Sequence, residues 1–238
     1  MNEFENCRVL VVGGSSGIGL ETARMFSQEG AQVTIASRSQ EKLDRALDVS
    51  GTRMDCLCLD FTDDSAVEAF FASHRDWDHV VISAADTRVG PLRELEFHLA
   101  RAAMDSKFWG AYRVARFADI RPGGSLTLVS GYLSERPRKT SVLQGAINAA
   151  VDGLARGLAL ELAPVRVNSV SPGLVATPLW SSMELKRREQ MYEAVANRLP
   201  VGRIGAPRDI ARAVLFLAAN GYATGSMVLV DGGGTIAV

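Results

Sequence analysis

The chain has 238 residues, 47% of them hydrophobic, with 26 Lys and Arg against 27 Asp and Glu, a formal net charge of −1. That length suits one α/β domain with a substantial core. The near-neutral charge argues against nucleic acid or an anionic membrane as the main partner, since both call for a basic excess. Any catalytic scheme must draw on short lists: three His, three Cys, four Tyr and four Lys.

Short runs rich in Val, Ile and Leu alternate with helical stretches from end to end. Strands are predicted at 8–12, 32–36, 54–59, 79–83, 125–129, 166–170 and 227–230. Several lack strict alternation, as strands buried on both faces do. Helices are predicted at 17–28, 40–47, 63–73, 92–118, 142–162 and 207–219, with Pro207 in a first helical turn and Thr62 before Asp63 and Asp64 at another start. Strands joined by crossover helices imply a doubly wound parallel sheet with helices on both faces. A single domain over 1–238 is expected, with the polar segment at about 178–200 as a helical flap over the substrate. Cys7, Cys56 and Cys58 show no disulfide framework, and Cys56 and Cys58 are expected as core thiols on one strand face. No metal site is expected. The first eight residues carry two Glu and do not read as a signal peptide. The charge-free run 213–230 contains Asn220, Gly221, Thr224, Gly225 and Ser226, a helix, turn and strand rather than a membrane span. A cytoplasmic location is the expectation.

The most informative local pattern is GGSSGIG at 13–19, between a buried strand and an amphipathic helix. Gly13 permits the tight turn, Gly17 the approach of a pyrophosphate, and Gly19 close packing of helix on strand. Ser15, Ser16 and Ile18 complete the loop, and the helix N-terminus offers N–H groups and partial positive charge to phosphates. An NAD-selective site usually has Asp or Glu at the end of the second strand, where this chain has Ser37 and Arg38. A guanidinium can take a 2′-phosphate bidentately, so NADP(H) is preferred over NAD(H). Asp60 either accepts from the adenine amino group, with Phe61 beside the ring, or belongs to the turn before the next helix.

These residues resemble the short-chain dehydrogenase/reductase family. The resemblance extends through Asp152 and Gly153 in the long fifth helix, RVNSVSPG at 166–173, Thr177-Pro178, Gly202-Arg203 and TGSMVLVDGG at 224–233. It implies a Rossmann-type sheet of seven strands in the order 3-2-1-4-5-6-7. It also implies carbonyl–alcohol hydride transfer on a small-molecule substrate, and a homodimer or homotetramer. Ser83, Ala84 and Ala85 stand where the family runs along the cofactor after strand four, and Pro172, Gly173, Val175 and Thr177 where it lines the nicotinamide side.

The catalytic positions depart from the family pattern. Gln144 stands at the Tyr position and Asn148 at the Lys position four residues later. The family Ser falls on Gly131, with Ser130 adjacent, and the family Asn falls on Lys107. Gln144 donates a hydrogen bond but delivers no proton near neutral pH, and Asn148 can bond ribose hydroxyls without supplying a positive field. General acid–base assistance is worth roughly 3–5 kcal/mol, ~10²–10⁴-fold. An already electrophilic imine or enone would need it less than a plain ketone.

Candidates for the remaining chemistry are Ser130, Gln144, Asn148, Lys107 and Arg136. Lys107 would be a relay or a solvated helix residue, Ser130 a hold on a polar substrate atom, and Arg136 a ligand for an acidic substrate group. Tyr132 with Arg136 imitates a Tyr-x-x-x-Arg pair in a loop. His74, His79, His98 and Asp152 read as ordinary helix or strand-edge residues, and Trp180 as a cover for the nicotinamide. Two readings stay open: an NADP(H)-dependent oxidoreductase with a non-standard site, and a catalytically silent NADP(H)-binding regulator or scaffold.

Overall fold

Seven strands, β1 (Arg8–Val12), β2 (Gln32–Ser37), β3 (Asp55–Cys58), β4 (Trp77–Ile82), β5 (Ile120–Val129), β6 (Arg166–Pro172) and β7 (Met227–Val230), pair in the order β3-β2-β1-β4-β5-β6-β7. Every neighbouring pair is parallel. The computed structural model describes residues 3–87 and 90–237. The helices are α1 (Gly17–Gln28), α2 (Gln40–Ser50), α3 (Asp64–Ser73), α4 (Phe97–Met104), α5 (Gly110–Phe117), α6 (Val142–Glu161), α7 (Leu185–Ala196) and α8 (Pro207–Ala219).

Strand alternation divides the core between the two faces. Val9 and Val11 pack with Phe26 of α1, Leu43 of α2 and Ile210 and Val214 of α8. Leu10 and Val12 pack instead with Phe70 and Phe71 of α3, Val114 of α5 and Val151 of α6. Successive side chains of a strand point to opposite faces, so a run such as 9–12 is wholly apolar only when helices cover both. Strand order reverses between β1 and β4, and the crevice at the carboxyl ends of these two strands is where open α/β sheets bind ligands.

Three features differ from the sequence expectation. The helix expected over 92–118 is α4 and α5 joined by a π-helical turn, Asp105–Trp109. The chain can sit close here because Gly110 lies on Phe61, where a Cβ would stand 2.6 Å from the ring. β5 begins at Ile120 and carries a register shift against β4. Cys56 packs against the core but Cys58 is exposed, because β3 is the edge strand and its surface is only partly covered.

His79 is structural. Its Nδ1 meets the Ser125 hydroxyl at 2.9 Å, and its ring packs edge-on to Phe4 and stacks on Phe26. Burial, with Arg166 adding to it, pushes its pKa down to about 4. Arg166 closes the end of α8 by donating to the carbonyls of Leu217 and Ala218, both at 2.6 Å. Among the described residues no helix is long and apolar enough to cross a membrane.

Candidate functional site

The loop from β1 to α1 is shaped by contacts that exclude a Cβ. Gly13 has φ +85°, and a Cβ there would lie 2.5 Å from the Ala84 nitrogen, so this glycine lets the loop after β4 close on the loop after β1. At Gly19 a Cβ would lie 2.2 Å from the Gly13 carbonyl oxygen. Ser16 precedes α1 in extended conformation, and no side chain caps the helix start. Ile18 packs on the core beneath. Gly17 has φ +54° and faces Thr177, whose Cβ is 3.3 Å from the position a Gly17 Cβ would take. Ser15 donates to Ser37 at 3.1 Å, joining the loop to the end of β2. An uncapped helix start over a floor too close for side chains, with hydroxyls beside it, fits a dinucleotide pyrophosphate.

Arg38 follows Ser37. Its Nη2 is 3.6 Å from the Asp86 carboxylate, and its guanidinium carbon lies 5.6 Å from the Phe61 ring centroid. The Asp86 amide N–H in turn donates to the Ser106 hydroxyl oxygen at 2.6 Å. Ser83 and Ala84 are half-buried and Ala85 is exposed, all just before Asp86. Phe61 is buried under the guanidinium and against Gly110 of α5. Asp60 forms the turn. Its Oδ1 accepts from the Thr62 amide at 3.0 Å and hydroxyl at 2.7 Å. Burial raises its pKa, but the Thr62 bonds and Arg38 together hold the carboxyl below its ordinary value.

The π-turn carries Lys107 inward. The residue as a whole is half-buried, and its ammonium donates to the Ser130 carbonyl at 2.6 Å and to Asn148 Oδ1 at 2.7 Å. Burial lowers its pKa to about 8, against the opposing pull of Asp152. Asn148 also abuts Gly131, where a Cβ would stand 2.6 Å from Nδ2. The solvated-helix reading of Lys107 therefore fails, and the space a side chain at 131 would take is filled by the Asn148 amide.

Gln144, Asn148 and Asp152 fall every fourth residue on one face of α6, and all three are buried. Asp152 accepts from the Ser169 hydroxyl at 2.7 Å and the Ser134 hydroxyl at 3.0 Å. Sequence reasoning set Asp152 aside as an ordinary helix residue and did not single out Asp86 or Ser106. The 144/148/152 spacing was a usable signal, since a polar stripe on an otherwise apolar helix needs partners.

Two candidates are engaged elsewhere. The Ser130 hydroxyl is buried and points to the Val170 carbonyl at 3.3 Å, so this residue offers the site its carbonyl and not its hydroxyl. Arg136 Nη1 donates to the carbonyls of Gly234, at 2.6 Å, and Ala237, which ties it to the 234–237 segment. Tyr132 lies in a 3-10 turn under Arg138, and burial raises its phenol pKa although Arg138 and Arg136 lower it. A phenol so shifted is a poorer proton donor near neutrality.

At the other wall, Pro172 ends β6 and the Gly173 amide donates to Val230 at 2.9 Å. Val175 is buried against the core and bridges to Gly205. Its carbonyl accepts the Trp180 indole N–H at 3.0 Å, which holds the indole to the backbone where a cover for the nicotinamide was expected. Thr177 then leads into the 178–200 segment, whose helix α7 buries no residue fully.

A family model described as enoyl-(acyl carrier protein) reductase matches residues 12–235. The galactitol 2-dehydrogenase (L-tagatose-forming) of Cereibacter sphaeroides is 35% identical over 241 residues, covering 95% of this chain and 94% of that protein. A solved small-chain dehydrogenase in complex with NADPH shares 36% identity with a TM-score of 0.85, over 98% of this chain and 100% of that one. The MalC reductase/Diels-Alderase from Malbranchea aurantiaca shares 27% identity with a TM-score of 0.90, over 99% and 98%. Sheet order, glycine cradle and these near-complete matches agree: the chain is an oxidoreductase of the short-chain dehydrogenase/reductase family.

Proposed function

We propose that the chain is an NADP(H)-dependent oxidoreductase acting on a small organic substrate through a non-standard active site. The observation that carries this reading is the interior Lys107–Asn148 pair, an ammonium kept out of water beside an intact dinucleotide cradle. Buried charge is costly and concentrates where it has a task. Bound in the crevice, the dinucleotide would supply the hydride. Gly13, Ser15, Ser16, Gly17, Ile18 and Gly19 would hold its pyrophosphate, Ser37 and Arg38 its 2′-phosphate, and Asn148 its nicotinamide ribose. Ser83, Ala84 and Ala85 would border it, with Pro172, Gly173 and Thr177 on the nicotinamide side and Val175 supporting them from below. The choice of NADP(H) is supported by Arg38 in place of a carboxylate and by the NADPH complex of a relative 36% identical.

Gln144 delivers no proton, which favours an imine or enone over a plain ketone. The same residue is what favours the second reading, a silent NADP(H)-binding regulator or scaffold. The two separate in one experiment: titrate with NADPH by nucleotide fluorescence, then follow loss of reduced-cofactor absorbance over a panel of ketones, imines and enones. Turnover on imines or enones is expected. Binding without turnover on any of them would transfer the assignment to the scaffold, and absence of dinucleotide binding would end both. The exposed Trp109, Tyr112 and Leu160 on α5, its preceding turn and α6 support a homodimer or homotetramer, and a monomer by light scattering at micromolar concentration would contradict that.

A further inference from the structure

We propose that Lys107, Asn148 and Gly131 form one coupled exchange, in which Lys107 supplies the site's positive charge from the π-turn and acts through Asn148 as a positioning residue for the bound dinucleotide. This rests on the reading of the chain as an NADP(H)-binding oxidoreductase. Taken one at a time, the three positions look like separate losses: an Asn gone, a Lys gone, a Ser gone. In space each explains the next. A Lys at 107 brings a buried ammonium, and its acceptors are Asn148 Oδ1 at 2.7 Å and the Ser130 carbonyl at 2.6 Å. An ammonium only donates, so it settles which end of the Asn148 amide faces it. The amide nitrogen is thereby turned away and becomes the donor α6 presents. That nitrogen needs the room Gly131 leaves, since a Cβ there would stand 2.6 Å away.

The pair does more than fill space. A methionine at 107 would occupy a similar volume without the cost of desolvating a cation. An ammonium bonded to an amide oxygen also polarises the amide and strengthens its N–H donors. Asn148 alone would bond ribose hydroxyls without a positive field. With Lys107 behind it, the field is restored from the opposite wall. The unlike charge facing Lys107 from α6 is Asp152, itself engaged by the Ser169 and Ser134 hydroxyls. Asp105, on the same π-turn, pairs with Arg113 at 2.8 Å. On the loop after β5 the titratable Tyr132 is coupled to Arg138, Arg136 and Asp231. From the loop after β4, Asp86 is paired with Arg38.

The test is NADPH affinity by fluorescence titration between pH 6.5 and 9.5, with thermal unfolding of each variant alongside, so binding is read on folded protein. For the wild type, affinity should fall as pH rises through the Lys107 titration near 8. Lys107→Met should bind roughly 10-fold more weakly at pH 7, as expected for losing one charge-assisted interaction, and show no such step. Gly131→Ser should weaken binding similarly although the ammonium is still present. The reversed pair, Lys107→Asn with Asn148→Lys, should return to within about 3-fold of wild type, while neither single change does. The proposal is overturned if Lys107→Met and Gly131→Ser bind NADPH like the wild type, or if the reversed pair binds no better than its singles. A wild type that binds no NADPH at any pH would instead sink the functional assignment, and this proposal with it.

Discussion

Arg38 offers a prediction whose size follows from its surroundings. Its Nη2 lies 3.6 Å from Asp86 Oδ2, with the two side chains 45% and 57% exposed. At that separation in a water-like dielectric the attraction is about 1 kcal/mol, and exposed pairs deliver about 0–1. A 2′-phosphate on the guanidinium would compete with Asp86 for the same donors. Asp86→Asn should therefore improve NADPH affinity by up to about 5-fold and leave NADH affinity alone, with the gain shrinking in high salt. Arg38→Asp should do the reverse on a larger scale. It removes a charge-assisted contact worth about 1.5–3 kcal/mol and adds like-charge repulsion, so NADPH should weaken by roughly 100-fold or more while NADH changes little. Both variants are read by fluorescence titration with the two nucleotides at two ionic strengths. Equal NADPH affinity for Arg38→Asp and wild type would refute the role of the guanidinium, and an Asp86→Asn effect equal for both nucleotides would refute the competition.

Three further outcomes are expected. His79 has a folded pKa of about 4 against an ordinary 6.5, so the unfolded chain takes up its proton first on acidification. Its contribution is present above pH 6.5 and lost as pH falls towards 4, up to about 3 kcal/mol. Denaturant melts at pH 7.5 and 4.5 should show a larger loss for wild type than for His79→Asn. Gly19→Ala places a Cβ 2.2 Å from the Gly13 carbonyl, a backbone atom that cannot swing aside. It should lower the melting temperature and abolish nucleotide binding, and a variant that binds NADPH normally would contradict the cradle geometry. Arg136→Ala releases the carbonyls of Gly234 and Ala237 and should speed amide hydrogen exchange over residues 234–237, and exchange unchanged from wild type would contradict that anchoring role.

Much of the fold was legible because its signals are local. A run such as 9–12 reports burial on both faces by composition alone, and the glycines at 13, 17 and 19 report a loop where side chains collide. The places of Arg38 and Asp60 in the chain were legible as well, since each follows a strand whose position in the sheet is set by chain order. What escaped was everything decided by a partner far along the chain. Arg136 could be placed near the pocket, but its acceptors lie about a hundred residues on, in a tail with no pattern of its own. The packing of Gly110 on the Phe61 ring was not legible from either residue alone. The bond from the Trp180 indole N–H to the Val175 carbonyl was equally hidden from the sequence.

Lys107 shows the same limit in sharper form. Position by position, a lysine in place of an asparagine near one helix and an asparagine in place of a lysine on another count as two defects. Whether they compensate depends on the direction in which each side chain enters the site, and that is set by the π-turn between α4 and α5, which rotates residue 107 relative to a continuous helix. The ammonium donates to Asn148 Oδ1, so under the proposed exchange the charge of the site would survive a change of address. The proton donor does not survive in the same way: Gln144 cannot ionise, and Tyr132 is shifted away from neutrality by burial. Under the proposed reading, a site that kept its field without its acid would stabilise and orient better than it protonates. That asymmetry is the physical reason to look for a substrate that arrives already electrophilic.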